Sequence, residues 1–144
     1  MSVFTRRAIV IALASIPLLA KADEVAEARA AASAFRRAVA NQRFEEAYDN
    51  LLSAFFKEKS KTTKAAFVQN LRNGRALVGE VKKTTDISYT YAESDPVSGY
   101  KGKMYMFDYK TVYEKGSFTE RLVVIQEADG KYRIGGLWSV PAPL

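Results

Sequence analysis

Neither cysteine nor histidine occurs in the 144 residues. Their absence removes disulfides, thiolate nucleophiles, imidazole bases and the usual nitrogen and sulfur metal ligands together. Any catalysis would rest on carboxylates, Tyr, Lys, Arg or hydroxyls, and no motif activates a nucleophile, so a non-enzymatic role with no metal and no other cofactor is expected. Internal repeats, linkers and low-complexity tracts are also missing. Basic residues never form a dominant run: Lys57, Lys59, Lys61 and Lys64 are the densest group, and Glu58, Ser60 and threonines interrupt them. That spacing describes a solvated surface, and nucleic acid is not an expected partner.

What is present is enough apolar material for one core. Hydrophobic residues make up 48% of the chain, the proportion of a single globular domain. Residues 1–22 carry Arg6-Arg7, an apolar run from Ala8 to Ala20 and a small-x-small ending, Ala20-Lys21-Ala22. This is the pattern of a secretory signal peptide, with cleavage expected after Ala22. Pro17 and the brevity of the run argue against a retained membrane helix, which needs about 20 apolar residues. The expected product, residues 23–144, is a soluble periplasmic or secreted domain without stable membrane insertion. Removing Arg6, Arg7 and Lys21 lowers the 22 basic residues to 19 against 16 acidic ones, so the formal charge of +6 falls to +3.

Three helices are expected before any strand. Val25, Ala28, Ala32, Phe35 and Val39 recur at steps of three and four in a helix from Asp23 to near Asn41, with Glu24, Glu27, Arg36 and Arg37 off the stripe. A second helix from Phe44 aligns Ala47, Tyr48, Leu51, Leu52 and Phe55. Thr62 or Thr63 can cap a third, whose Phe67, Leu71, Gly74 and Val78 share a face and which Gly79 ends. Gly74 suggests a close backbone approach there. Arg75 follows Leu71 by four residues and Phe67 by eight, which puts a charge beside an apolar stripe and demands a partner for it.

Beyond Gly79 the period changes to two. A strand from Val81 to Tyr91, a loop from Ala92 to Tyr100 and three further strands to Val140 make a four-stranded antiparallel meander. Asp129-Gly130 predicts a two-residue hairpin turn that sets Ile125 opposite Ile134 and Leu122 opposite Leu137. Glu114 to Ser117 predicts another, with Tyr113 opposite Phe118 and Thr111 opposite Glu120. Alternation then assigns Tyr105, Phe107, Tyr109, Tyr113, Phe118, Leu122, Val124 and Leu137 to the helix side, with Thr111 and Glu120 as its polar exceptions. Met104, Met106, Asp108, Lys110, Arg121, Val123, Ile125, Ile134 and Trp138 fall on the other side.

The predicted fold is therefore α+β: three helices packed on a curved four-stranded antiparallel sheet, a form that resembles NTF2-like and cystatin-like domains, whose cone mouth commonly holds ligands. Specific residues also resemble the exported bacterial family called domain of unknown function 4019: Tyr109-x-Thr111-x-Tyr113, Gly116, Glu120, Asp129-Gly130-Lys131-Tyr132-Arg133-Ile134-x-Gly136, and upstream Arg75-Ala-Leu-Val-Gly79 and Ala47-Tyr48-Asp49. Arg121 departs from the threonine of that pattern, and Tyr132 and Phe67 from its tryptophans. The resemblance implies architecture and export and carries no activity.

Glu120 is the most informative single residue, since an unpaired carboxylate on the helix side is disfavoured. One reading is an Arg75–Glu120 ion pair tying the third helix to the sheet, with Thr111 and Tyr113 as hydrogen-bond donors. The other makes Glu120 a general acid or base at the bottom of a ligand-binding cone lined by Tyr89, Tyr91, Tyr105, Tyr109 and Tyr113, with Arg75 nearby. On the opposite face Arg121 is expected to stack on Trp138, and with Met104, Met106 and Ile125 the pair could centre a partner or homodimer interface. Three functions remain open: a binding or interaction module for a small molecule or envelope protein, a lyase or isomerase using Glu120 and a tyrosine, and a structural envelope accessory.

Overall fold

A computed structural model gives the fold, and residues 16–142 are described; most of the expected leader, residues 1–22, and Pro143 lie outside them. Helix α1 (Ile16–Ala40) passes through Ala22 and begins ahead of the expected start at Asp23. Its stripe is the expected one, with Ala28, Ala32 and Phe35 buried and Val25 and Val39 packed beside them. Small alanines let the helix lie close on the sheet, against Tyr105, Phe107, Tyr109, Leu122 and Val124. Among the described residues no helix is long and apolar enough to cross a membrane.

The second expected helix is two elements. A short helix α2 (Phe44–Glu46) runs into a wide turn, Ala47–Leu51, closed by the bond from Leu52 N–H to the Ala47 carbonyl, 3.1 Å. Leu52 then swings into extended backbone and bridges to Ile134, and Ser53 N–H donates to the Ile134 carbonyl at 2.9 Å. Ser53 caps helix α3 (Ala54–Ser60) by accepting from Phe56 N–H at 3.0 Å. Phe55 thereby leaves the helix-side stripe and packs on the opposite face of the sheet, against Tyr100 at 5.1 Å and beside Met104 and Ile125.

Helix α4 (Lys64–Val78) is capped by Thr63, which accepts from Ala66 N–H at 3.2 Å, and ends at Gly79. Near its start Phe67 is anchored between Tyr48 and Phe56. Its other end is tied to the sheet: Lys115 N–H donates to the Val78 carbonyl at 3.0 Å and Glu80 N–H to the Glu114 carboxylate at 3.0 Å. Gly79 has φ +78°, and a Cβ there would lie 2.2 Å from Glu114 Oε2, so only glycine fits. The helix is held at both ends. Gly74, midway, meets nothing within 4 Å, so the close approach expected there is absent.

Strands β1 (Val81–Asp95), β2 (Tyr100–Tyr113), β3 (Gly116–Gln126) and β4 (Tyr132–Pro141) form an open sheet in the expected meander order. β1 reaches Asp95 rather than Tyr91, and its turn closes through Gly99 N–H to the Asp95 carbonyl at 2.8 Å. The β2–β3 turn is tighter than expected. Tyr113 pairs with Gly116, Thr111 with Phe118 and Tyr109 with Glu120, a shift of two that leaves every side chain on its predicted face.

The β3–β4 register differs by one. Gly130 N–H donates to the Glu127 carbonyl and Glu127 N–H to that of Lys131, both at 2.9 Å, which makes a three-residue loop with Gly130 at φ +80°. Asp129 fixes it by accepting from Arg133 and from Lys131 N–H, and these donors pull its pKa from 3.8 to about 2. Ile134 consequently faces Val124 rather than Ile125, joins the helix-side core and is fully buried. A bulge at Gly135 restores the predicted register, and Leu122 does pair with Leu137.

Candidate functional site

Between the second half of α1, the spanning α4 and the β2–β3 end of the sheet lies a cavity of about 540 Å³. Its walls are mostly apolar, with Phe35 and Val39 from α1, Leu71 and Val78 from α4, and Phe118 and Leu137 from the sheet among them. The opening follows from the anchoring of α4: Phe67 and Gly79 fix its two ends, and Gly74 sends no side chain inward between them.

Glu120 lines this cavity with Thr111 and Tyr113. The Thr111 hydroxyl donates to one carboxylate oxygen at 2.7 Å and the Tyr113 hydroxyl to the other at 2.5 Å. The register shift makes Tyr109 the direct cross-strand neighbour of Glu120 and Thr111 the diagonal one, and the long Tyr113 side chain reaches back to the carboxylate from four residues beyond Tyr109. Burial, then the hydrogen bond to Glu120, push the Tyr113 phenol above the ordinary tyrosine value. Glu120 thus faces the cavity with one neutral hydroxyl donor on each carboxylate oxygen.

Arg75 also lines the cavity, but it does not pair with Glu120. Its Nη1 donates instead to the Ala40 carbonyl at the end of α1, 3.2 Å away, so the third-helix arginine ties helix to helix. Arg36 is a cavity residue that the helical pattern had set aside. Its guanidinium lies 4.1 Å from the centre of the Tyr109 ring. The spacing did hold a signal, because Ala28, Ala32 and Arg36 follow one another at steps of four, as Phe67, Leu71 and Arg75 do.

The other candidate tyrosines are elsewhere. Tyr105 and Tyr109 are core residues, and the Tyr109 hydroxyl has no partner among the described residues. Tyr89 and Tyr91 sit on the outer strand β1 and are exposed; the Tyr91 hydroxyl donates to Glu93 at 2.8 Å, which raises its pKa to about 12. On the opposite face Arg121 is the register partner of Trp138, yet its guanidinium turns to Asp108 in a bidentate pair at 2.7 and 2.9 Å instead of stacking on the indole. That pair holds the Asp108 carboxyl below its usual range. Met104 and Ile125 are buried beneath Phe55 and Tyr100, whereas Trp138 is 58% exposed with Met106 beside it.

Among the described residues, four helices, three of them short or spanning, laid on an open antiparallel meander place the protein in the α+β class. The chain belongs to the family described as Protein of unknown function (DUF4019), which matches residues 30–137. A solved structure from Catenulispora acidiphila is similar in fold, with a TM-score of 0.57 and 18% identity over 85% of this chain and 94% of that one. Comparison with curated proteins gives no match.

Proposed function

We propose that the protein is an exported binding module of NTF2-like or cystatin-like architecture that holds a small, largely apolar molecule between α1, α4 and the sheet. The observation that carries this is the cavity of about 540 Å³, within the usual range for small-molecule sites, with apolar walls and a few fixed polar groups. Export rests on the basic, apolar and small-residue order of residues 1–22. Native mass spectrometry of the gently purified protein tests the reading. A reproducible extra mass that Leu71→Trp abolishes by filling the cavity is the expected result; a bare mass, with no uptake of added hydrophobic molecules, would discard it in favour of a structural envelope role.

A second reading is favoured by one contact, the Tyr113–Glu120 hydrogen bond facing an apolar cavity. In a lyase or isomerase the Glu120 carboxylate would take a proton from the bound molecule while Tyr113 returns one. Binding that survives Glu120→Gln while turnover stops would select this reading over simple retention. Trp138 and Met106 remain the candidate surface for an envelope partner or a second copy of the chain.

A further inference from the structure

Eight arginines fall among the described residues, and five of them stand in ion pairs: Arg29 with Asp86, Arg43 with Glu46, Arg72 with Glu45, Arg121 with Asp108 and Arg133 with Glu127 and Asp129. The other three are Arg36, Arg37 and Arg75, and all three line the cavity. Arg36 and Arg75 are half-buried. A guanidinium drawn partly out of water without a carboxylate partner carries an uncompensated desolvation cost. Both keep donors to spare: Arg36 lies against Tyr109, 4.1 Å from its ring centre, and Arg75 gives one of its five N–H groups to Ala40. Both stand close enough to Tyr113 to favour its phenolate form, so they act on a shared part of the cavity.

We infer that the cavity takes an amphiphilic monocarboxylate, its head held by Arg75 and Arg36 with Arg37 at the rim and its apolar body against Leu71, Phe118 and Leu137. This rests on the cavity being a binding site, as proposed above. The charge balance favours an anion over an amine, because three guanidiniums face one carboxylate and both oxygens of Glu120 already accept hydroxyl donors. Guanidinium forks match the two oxygens of a carboxylate, and the mostly apolar wall suits one charged end on a hydrocarbon or aromatic body rather than a molecule polar throughout.

Isothermal titration of the purified protein with octanoate, octanol and octylammonium tests this. Octanoate should bind about tenfold or more tighter than octanol, the weight of a charge-assisted hydrogen bond. Arg75→Gln should bring octanoate down to the affinity of octanol while leaving octanol unchanged, and Arg37→Gln, at an exposed position, should weaken octanoate alone without touching the fold. Equal affinity for octanoate and octanol, or tightest binding of octylammonium, would overturn the anion assignment and leave the cavity reading standing. Failure of all three to bind would overturn both.

Discussion

The Glu120 carboxylate shows how one side chain can be satisfied by neutral donors when a charged one stands nearby. Thr111 is buried and Tyr113 half-buried, so their hydroxyls meet the carboxylate where water is scarce. Tyr113→Phe removes one donor and strands one oxygen; a loss of about 1 kcal/mol in urea unfolding at neutral pH is expected, limited by the water that still reaches Glu120 through the cavity. The pH dependence has a definite sign. The folded phenol is raised above 10.0, so above that pH the unfolded chain releases a proton that the folded chain keeps. Wild-type stability should therefore fall faster than that of Tyr113→Phe as pH rises past 10, and parallel curves would show that Tyr113 is not the group being held. The sequence placed Glu120, Thr111 and Tyr113 on one face because a register error of two preserves alternation. It missed the choice of partner for Arg75, because a helical period fixes which side a residue occupies and not how far its flexible chain reaches.

At the scale of elements, glycines do opposite things in two places. Gly74 sits inside α4 with open space where a Cβ would go, so Gly74→Ala should stabilise the protein by about 0.5–1 kcal/mol through helix propensity. Gly135 is the bulge residue of β4, and a Cβ there would lie 2.8 Å from Ile125 Cγ2 in the buried cluster under Phe55. Gly135→Ala should cost about 1–3 kcal/mol by forcing that cluster apart. Thermal melts of the two variants check both signs together. The bulge is also why the second hairpin was only partly legible. Asp129-Gly130 marks the turn in the sequence, but the same dipeptide serves a two-residue turn or the end of a three-residue loop. The adjacent Gly135-Gly136 was the available warning of an irregular strand, and it decides that Ile134 faces the helices. Likewise the helical stripe of Phe44 to Phe55 gives no sign of stopping, and the break at Leu52 is set by a tertiary contact, the Ser53 bond to Ile134 on β4.

Across the whole molecule, order is distributed unevenly, and the cavity lies where it is thinnest. α1, β2 and β3 carry most of the buried side chains, whereas α4 buries only Phe67 and Val68, both in its first half. β1 is an outer strand with Ile87, Tyr89 and Tyr91 exposed and with three register shifts along its pairing with β2. Such segments open at lower free energy than the core. Hydrogen exchange of the free protein should find the amides of Leu71–Val78 exchanging before those of Tyr105–Thr111 and Leu122–Ile125, even though Gly79 and Lys115 fasten the end of the helix. The reason is geometric: a helix pinned at Phe67 and Gly79 over an open cavity has intact backbone hydrogen bonds but little packing beneath its middle turns. An occupant supplies that packing. Saturating octanoate should slow exchange in Leu71–Val78 more than in β1, since the molecule would bridge α4 to the sheet and touch the outer strand only at Val81 and Thr84. Uniform slowing of both segments would mean that binding merely stabilises the globular fold as a whole. Slowing confined to α4 would identify this helix as the element whose packing the occupant completes, between its attachments at Phe67 and Gly79.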